Sequence, residues 1–215
     1  MLKLHGMPVS NYYNMVKHCL LEKGMEFEEV TAAPSQEDAY LAKSPMGKIP
    51  CLETDSGFLA ETTVILDYLE EIHPLPAMYP ADPWARAKTR EIMRIVEHYI
   101  EAPSHRLVGH VLFNAPLSQS ARDEIRPAVE KGLAALGRVA RFKPYIAGTQ
   151  LTNADIFSYH SLGLARRMLQ SVYQWEIAGT VPGLSAWLKL ISESPHARAI
   201  LAAQQQAMAA LQAGR

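Results

Sequence analysis

Four prolines between positions 74 and 83 (Pro74, Pro76, Pro80 and Pro83) divide this chain. Proline has no amide N–H to donate, and its ring clashes with the preceding helical turn. No helix and no central strand can therefore run through this stretch, which reads as a linker. The two sides follow different patterns. Before the linker, short elements alternate: a strand over 2–5, an amphipathic helix over 12–23 stopped by Gly24, and a strand over 27–31. A short helix over 35–43 capped by Ser35 follows. Next come a hairpin over 51–60 turned at Asp55-Ser56-Gly57 and a helix over 62–72. In that last helix Val64, Ile65, Tyr68, Leu69 and Ile72 recur at helical spacing. The order βαβ, α, ββα predicts a mixed four-stranded sheet, in which a parallel pair is extended by an antiparallel hairpin.

After the linker the pattern is helical. Asp82-Pro83 supplies a cap and first turn for a long helix from Trp84 towards Phe113, which Pro103 must bend or interrupt. A second helix is predicted over 119–142. Thr152-Asn153-Ala154-Asp155 has the form of a capping box, with Asp in place of Glu, ahead of Ile156, Phe157 and Tyr159. Further helices are predicted over 182–191 and 197–211. The expected organisation is an α/β domain over 1–77, a linker over 78–84 and an all-α helical bundle over 85–215.

Composition narrows the function. At 215 residues and 48% hydrophobic, the chain can bury a substantial core. A formal net charge of -1 and the absence of a long basic run argue against nucleic acid as a partner. No apolar stretch approaches the length of a membrane span, and residues 1–5 suit a strand better than a signal peptide. Cys19 and Cys51 offer neither a disulfide framework nor metal-ligand spacing. A reducing cytoplasm and a site without metal are expected.

The segment Gly47-Lys48-Ile49-Pro50 leads into the hairpin, and Glu61-Thr62 stands between the hairpin and the next helix. A proline at a strand start is unusual; with a cis bond there, the backbone groups of Ile49 can turn outward to a ligand. The free N–H groups opening the next helix favour a carboxylate. A cation at Lys48, a strand-like edge at Ile49 and an anion site at Glu61-Thr62 together suit a small peptide with carboxylates at both ends.

Taken in order over nearly the whole length, these motifs resemble the cytosolic glutathione transferases, including the bacterial type of domain junction at Tyr79-Pro80-Ala81-Asp82-Pro83. The resemblance implies a thioredoxin-like N-terminal domain, an all-helical C-terminal domain, glutathione as co-substrate, a small electrophile as second substrate and a homodimer. It implies a role in detoxification in the cytoplasm. Ile49, before a cis Pro50, would pair with the cysteinyl part of glutathione, and Lys48 would meet its glycine carboxylate. Glu61 and Thr62 would hold the γ-glutamyl group, where the family usually has Glu-Ser. Either Gln36 or Lys43 could assist at the glycine end.

Such chemistry needs glutathione as thiolate, because thiols are poor nucleophiles. A free thiol has a pKa of about 8.5, and lowering it by about two units requires roughly 2.7 kcal/mol of preference for the anion. One hydrogen bond to a charged acceptor supplies about 1.5–3 kcal/mol, so one donor at the start of the first helix suffices. In family subgroups with a catalytic serine, that residue stands six positions before a hydrophobic residue of the first helix, as Ser10 stands before Val16. Asn11 is the second candidate donor, since an amide N–H can also face a thiolate. The place of a catalytic tyrosine is taken by His5 and Gly6, and no cysteine occupies the loop. Ser10 also suits a plain helix cap, while Tyr12 and Tyr13 suit packing. A buried inert thiol suits Cys19, a strand cysteine suits Cys51, and folding suits Asp155. His105, Arg106, His110, Tyr159, Arg166 and Arg167 could line a second-substrate pocket, although solvated or packing roles suit them better. A glutathione-dependent thiol reductase, which wants a cysteine at the first helix, and a non-catalytic interaction protein are the competing functions.

Overall fold

The computed structural model describes residues 1–213. The last two positions of the expected span 85–215 lie outside them. Two units emerge. The first comprises Met1–Met78 with residues 193–213, and the second is Tyr79–Ser192.

The first unit is built on a four-stranded mixed sheet: β1 (Leu2–Gly6), β2 (Phe27–Thr31), β3 (Cys51–Thr54) and β4 (Gly57–Leu59), in the order β2-β1-β3-β4. β1 pairs parallel with β2, with Leu2 opposite Phe27. It pairs antiparallel with β3, with His5 opposite Cys51, and β3 pairs antiparallel with β4, with Leu52 opposite Leu59. Helix α1 (Asn11–Glu22) crosses between the parallel strands and packs against α3 (Thr62–Ile72). Their apolar faces bury Met15, Val16, Cys19, Leu20, Ile65, Leu66 and Leu69, together with Leu4 and Leu52 of the sheet. The short helix predicted over 35–43 is a single turn, α2 (Asp38–Leu41). Ser35 does not cap it: its hydroxyl accepts from Glu37 N–H at 3.1 Å in a local turn, and helix formation starts only beyond that residue.

Lys23, at the C-terminal end of α1, is buried with its Nζ 2.6 Å from Glu70 of α3. The ammonium also donates to the carbonyls of His73 at 2.6 Å and Pro76 at 3.0 Å, and Glu70 accepts from Met78 N–H at 3.1 Å. All three ammonium protons thus have acceptors, which a buried lysine requires. The final helix, α10 (Pro195–Ala213), packs on α1 within this unit. There Glu22 meets His18 at 3.3 Å and His196 of α10 at 3.1 Å. The His18 hydrogen bond holds the Glu22 carboxyl below the ordinary glutamate range against the opposing effect of burial, and His196 adds to it.

The second unit is helical: α4 (Pro83–Val96), α5 (Ala102–His105), α6 (Val108–Phe113), α7 (Gln119–Val139), α8 (Asn153–Tyr173) and α9 (Leu184–Ser192). The single long helix predicted from Trp84 is broken. A π-helical turn, Glu97–Glu101, precedes Pro103, and the chain breaks again between α5 and α6. Pro103 cannot give the N–H that an α-helix needs at that position, and the wider turn absorbs the loss. The same turn lies close to α7: a Cβ on Gly132 would come within 2.3 Å of the Tyr99 carbonyl oxygen, so only glycine fits. Helix α7 ends at Val139, short of the predicted Phe142. Helix α8 runs through the centre of this unit, burying Ile156, Phe157, Leu162, Ala165, Met168 and Leu169. Its Asp155 forms the capping box with Thr152 and is wholly buried.

Candidate functional site

The sheet register brings three loops to one end of the first unit. Where β1 finishes at Gly6, β3 begins at Cys51 and β4 finishes at Leu59, because His5 lies opposite Cys51 and Leu52 opposite Leu59. The segments leaving or entering those ends are residues 7–10, 48–50 and 60–62. They carry Ser10; Lys48, Ile49 and Pro50; and Glu61 and Thr62, with Asn11 opening α1.

The middle segment is held from behind. Ser44 donates its hydroxyl proton to the Lys48 carbonyl at 2.8 Å and accepts from Lys48 N–H at 3.2 Å, while Tyr40 donates to the same carbonyl at 3.2 Å. Gly47 has φ 64°, and a Cβ there would lie 2.2 Å from the Ser35 carbonyl oxygen, so both conformation and space demand glycine. The Ile49–Pro50 bond is cis. Among the described residues, neither the N–H nor the C=O of Ile49 has a hydrogen-bond partner. The Lys48 side chain is exposed while Pro50 is buried. Lys43 holds its ammonium 5.2 Å from the centre of the Phe58 ring, and the Gln36 amide donates to the Met46 carbonyl at 3.3 Å.

Glu61 has φ 69° and ψ 111°, a conformation that non-glycine residues avoid. Backbone strain of this kind persists where the surroundings enforce it and concentrates at ligand clamps. Glu61 is exposed, its side chain makes no capping bond to α3, and Thr62 behind it is buried. The carboxylate is thus presented outward beside the open N–H groups of a helix start.

Ser10 is the N-cap of α1, and its Oγ accepts from Tyr13 N–H at 3.3 Å. That bond uses an oxygen lone pair and leaves the hydroxyl proton free to be donated. Asn11 is buried as the first residue of the helix. Tyr13 is committed elsewhere: its hydroxyl donates to Glu29 of β2, and burial, reinforced by that carboxylate, pushes its ionisation well above the ordinary tyrosine range. Lys17 meets both oxygens of the same carboxylate at 2.7 Å. Sequence reasoning missed Asn14, whose amide donates to the Pro8 carbonyl at 2.8 Å across the loop. The one available signal was an asparagine placed in the first turn among apolar residues, where its helix propensity is poor.

Both cysteines are buried and free. Burial pushes the Cys19 thiol up to about 12 and the Cys51 thiol up to about 11. Burial thus disfavours the thiolate form of both side chains. In the second unit, His105 pairs with Glu101 at 2.8 Å, Arg106 with Glu124 at 3.3 Å, and Arg166 with Glu176 at 2.7 Å. His110 hydrogen-bonds the Ala115 carbonyl at 2.9 Å. These pairings accord with structural roles. Among the described residues no cluster of side chains has metal-binding form, and no helix is long and apolar enough to cross a membrane.

Residues 4–77 match the family model of the glutathione S-transferase N-terminal domain. A glutathione S-transferase of Pseudomonas putida is 44% identical over 210 residues, 98% of this chain and 96% of that protein. Among solved structures, glutathione transferase F2 of Populus trichocarpa superposes with a TM-score of 0.81 over 96% of this chain and all of that one, at 20% identity. A glutathione S-transferase of Methylobacterium radiotolerans, solved with glutathione sulfonate, superposes with a TM-score of 0.74 over 92% of each chain, at 24% identity. Full-length identity at this level, together with the sheet, the helical unit and the motifs in their order, shows that the chain belongs to the glutathione S-transferase family.

Proposed function

We propose that this protein binds glutathione at the loop end of its sheet, ionises the thiol and transfers the sulfur to a small electrophile. The observation that carries this reading is the set of complementary groups on three neighbouring loops. An exposed ammonium at Lys48, an unpaired backbone edge at Ile49 and the outward carboxylate of a strained Glu61 match the ends and middle of the tripeptide. Lys48 meets the glycine carboxylate, and Ile49 pairs with the cysteinyl backbone. Glu61 receives the γ-glutamyl ammonium, while Thr62 and the N–H groups opening α3 take the neighbouring carboxylate. The cysteinyl sulfur then lies towards the start of α1, where the Ser10 hydroxyl donates to it. Asn11 is the alternative donor. The thiol proton passes to solvent, and the thiolate forms a carbon–sulfur bond with the electrophile as a leaving group departs or a π-electron pair shifts. The enzyme works as a homodimer in the cytoplasm.

Two experiments test this. Lys48→Ala, Glu61→Ala and Thr62→Ala should each weaken glutathione binding by about 1–2 kcal/mol, the scale of a charge-assisted hydrogen bond. Titration calorimetry showing unchanged affinity in all three removes the site. Ser10→Ala should leave affinity nearly intact while raising the pKa of the bound thiol by about one to two units and lowering turnover near neutral pH by about one to two decades. Thiolate absorbance against pH reads the shift directly, and alkaline pH should restore much of the rate. A shift in Asn11→Ala alone would transfer the role to the amide.

A further inference from the structure

The loop that carries Ser10 hangs on few bonds. Ser10 N–H donates to the Met7 carbonyl at 3.1 Å, closing a tight turn, and Asn14 N–H donates to the Ser10 carbonyl at 3.1 Å as the first helical bond of α1. The Asn14 side chain then reaches back, and its Nδ2 donates to the Pro8 carbonyl at 2.8 Å. Among the described residues, no other side chain hydrogen-bonds the backbone of residues 7–9. Asn14 is 1% exposed and sits beside Met15 and Val16, both wholly buried. Among the described residues its Oδ1 is buried without a partner. An apolar side chain in this place would avoid burying that oxygen, and asparagine is a poor helix former. The amide is therefore costly to the fold, and its one satisfied bond is to the donor loop.

The rest of the helix start is fixed independently. The Tyr13 ring packs so closely on Gly6 that a Cβ there would lie 2.4 Å away, and the Tyr13 hydroxyl and Lys17 both hold Glu29 of β2. These contacts pin α1 to the two parallel strands; Ser10 joins α1 through the Tyr13 and Asn14 N–H groups, and residues 7–9 before it are the segment that the Asn14 side chain holds.

We propose that Asn14 is a positioning residue for the thiolate donor: its amide clamps the Pro8 carbonyl and so sets where the Ser10 hydroxyl stands. The inference rests on the reading of Ser10 as the donor and adds to it a second residue that never touches the substrate. A hydroxyl displaced by even about 1 Å loses most of a directional bond to sulfur, whereas glutathione remains held through Lys48, Ile49, Glu61 and Thr62.

The test compares Ser10→Ala, Asn14→Ala and the double variant by thiolate absorbance of the glutathione complex against pH, with kcat, KM and glutathione affinity measured alongside. Asn14→Ala should raise the pKa of the bound thiol by about one unit and lower kcat near neutral pH about tenfold, with affinity unchanged within about twofold. The double variant should be no worse than Ser10→Ala, because Asn14 acts only through that hydroxyl. A purely structural asparagine would lower thermal stability without moving the titration, and that outcome overturns the inference. So does a double variant in which the two losses multiply. If Ser10→Ala shifts the titration and Asn14→Ala does not, this inference alone falls. If Ser10→Ala shifts nothing, the donor assignment falls with it. Should the alanine variant fail to fold, Asn14→Ser is read by the same criteria, since its hydroxyl is too short to reach Pro8.

Discussion

Asp155→Ala is expected to lower the stability of the helical unit by about 3–5 kcal/mol, the largest effect of any single substitution considered for this unit. One carboxylate oxygen accepts from Ile146 N–H at 2.7 Å and from the Trp187 indole at 2.8 Å. The other accepts from both the N–H and the hydroxyl of Thr152 at 2.9 Å. Four donors converge on a wholly buried group, and alanine leaves all four without an acceptor where water cannot reach. Burial raises the Asp155 carboxyl above the ordinary aspartate range against these hydrogen bonds. Ionising it is thus costly in itself, which keeps the expected loss below the sum of four separate bonds. Asp155→Asn should recover little, because the new amide group points donors at donors. All three tryptophans, Trp84, Trp175 and Trp187, lie in the helical unit, so urea titration followed by tryptophan fluorescence reports on that unit. A midpoint within the scatter of the wild type would show that the carboxylate does no more than an ordinary cap.

Lys23→Ala should cost the sheet-bearing unit a similar amount, about 3–5 kcal/mol, because it removes the buried Lys23 ammonium from the largely covered Glu70 carboxylate. The alanine variant also frees the carbonyls of His73 and Pro76, so the segment following α3 loses its tie to α1. Lys23→Met keeps most of the side-chain volume and should lose nearly as much, which separates charge from packing. The only two cysteines, Cys19 and Cys51, are both buried in this unit. Their reaction with a thiol reagent under increasing urea measures its opening without interference from the helical unit. Unchanged labelling in both variants would mean that the ion pair forms at no net gain.

Much of this architecture was legible from local chemistry. The bounds of α3 agree with the predicted 62–72 because a turn precedes it and the proline run closes it. The β2 span agrees because alternation and flanking turn residues are local signals. What failed depended on partners distant in sequence. The helix from Trp84 could be expected to bend at Pro103, but the packing of the π-helical turn on Gly132 of α7 lies between elements distant in sequence. Ser35 looked like a cap until its hydroxyl was found closing a turn onto Glu37. Lys23 reads as a surface lysine in isolation, and only the chain folding back from Glu70 to Pro76 supplies its acceptors. In the candidate site, the Gly47-Lys48-Ile49-Pro50 turn and the Glu61-Thr62 helix start were visible because each is a short, contiguous segment. The positive φ of Glu61 was not visible, since no residue type announces it. Asn14 escaped notice because its role is defined by a carbonyl, and carbonyls leave no mark in a sequence.

The placement of α10 has a consequence for biosynthesis. Residues 1–78 are made well before residues 193–213, yet the two belong to one unit, with His196 reaching Glu22 on α1. The helical unit is contiguous in sequence, from Tyr79 to Ser192. The sheet and α1, made before α10, must wait for that helix before α1 is covered. Removing α10 therefore acts on the sheet-bearing unit, although that helix follows the helical unit in sequence. Nascent chains stalled before α10 should expose the back of the very helix that Ser10 caps.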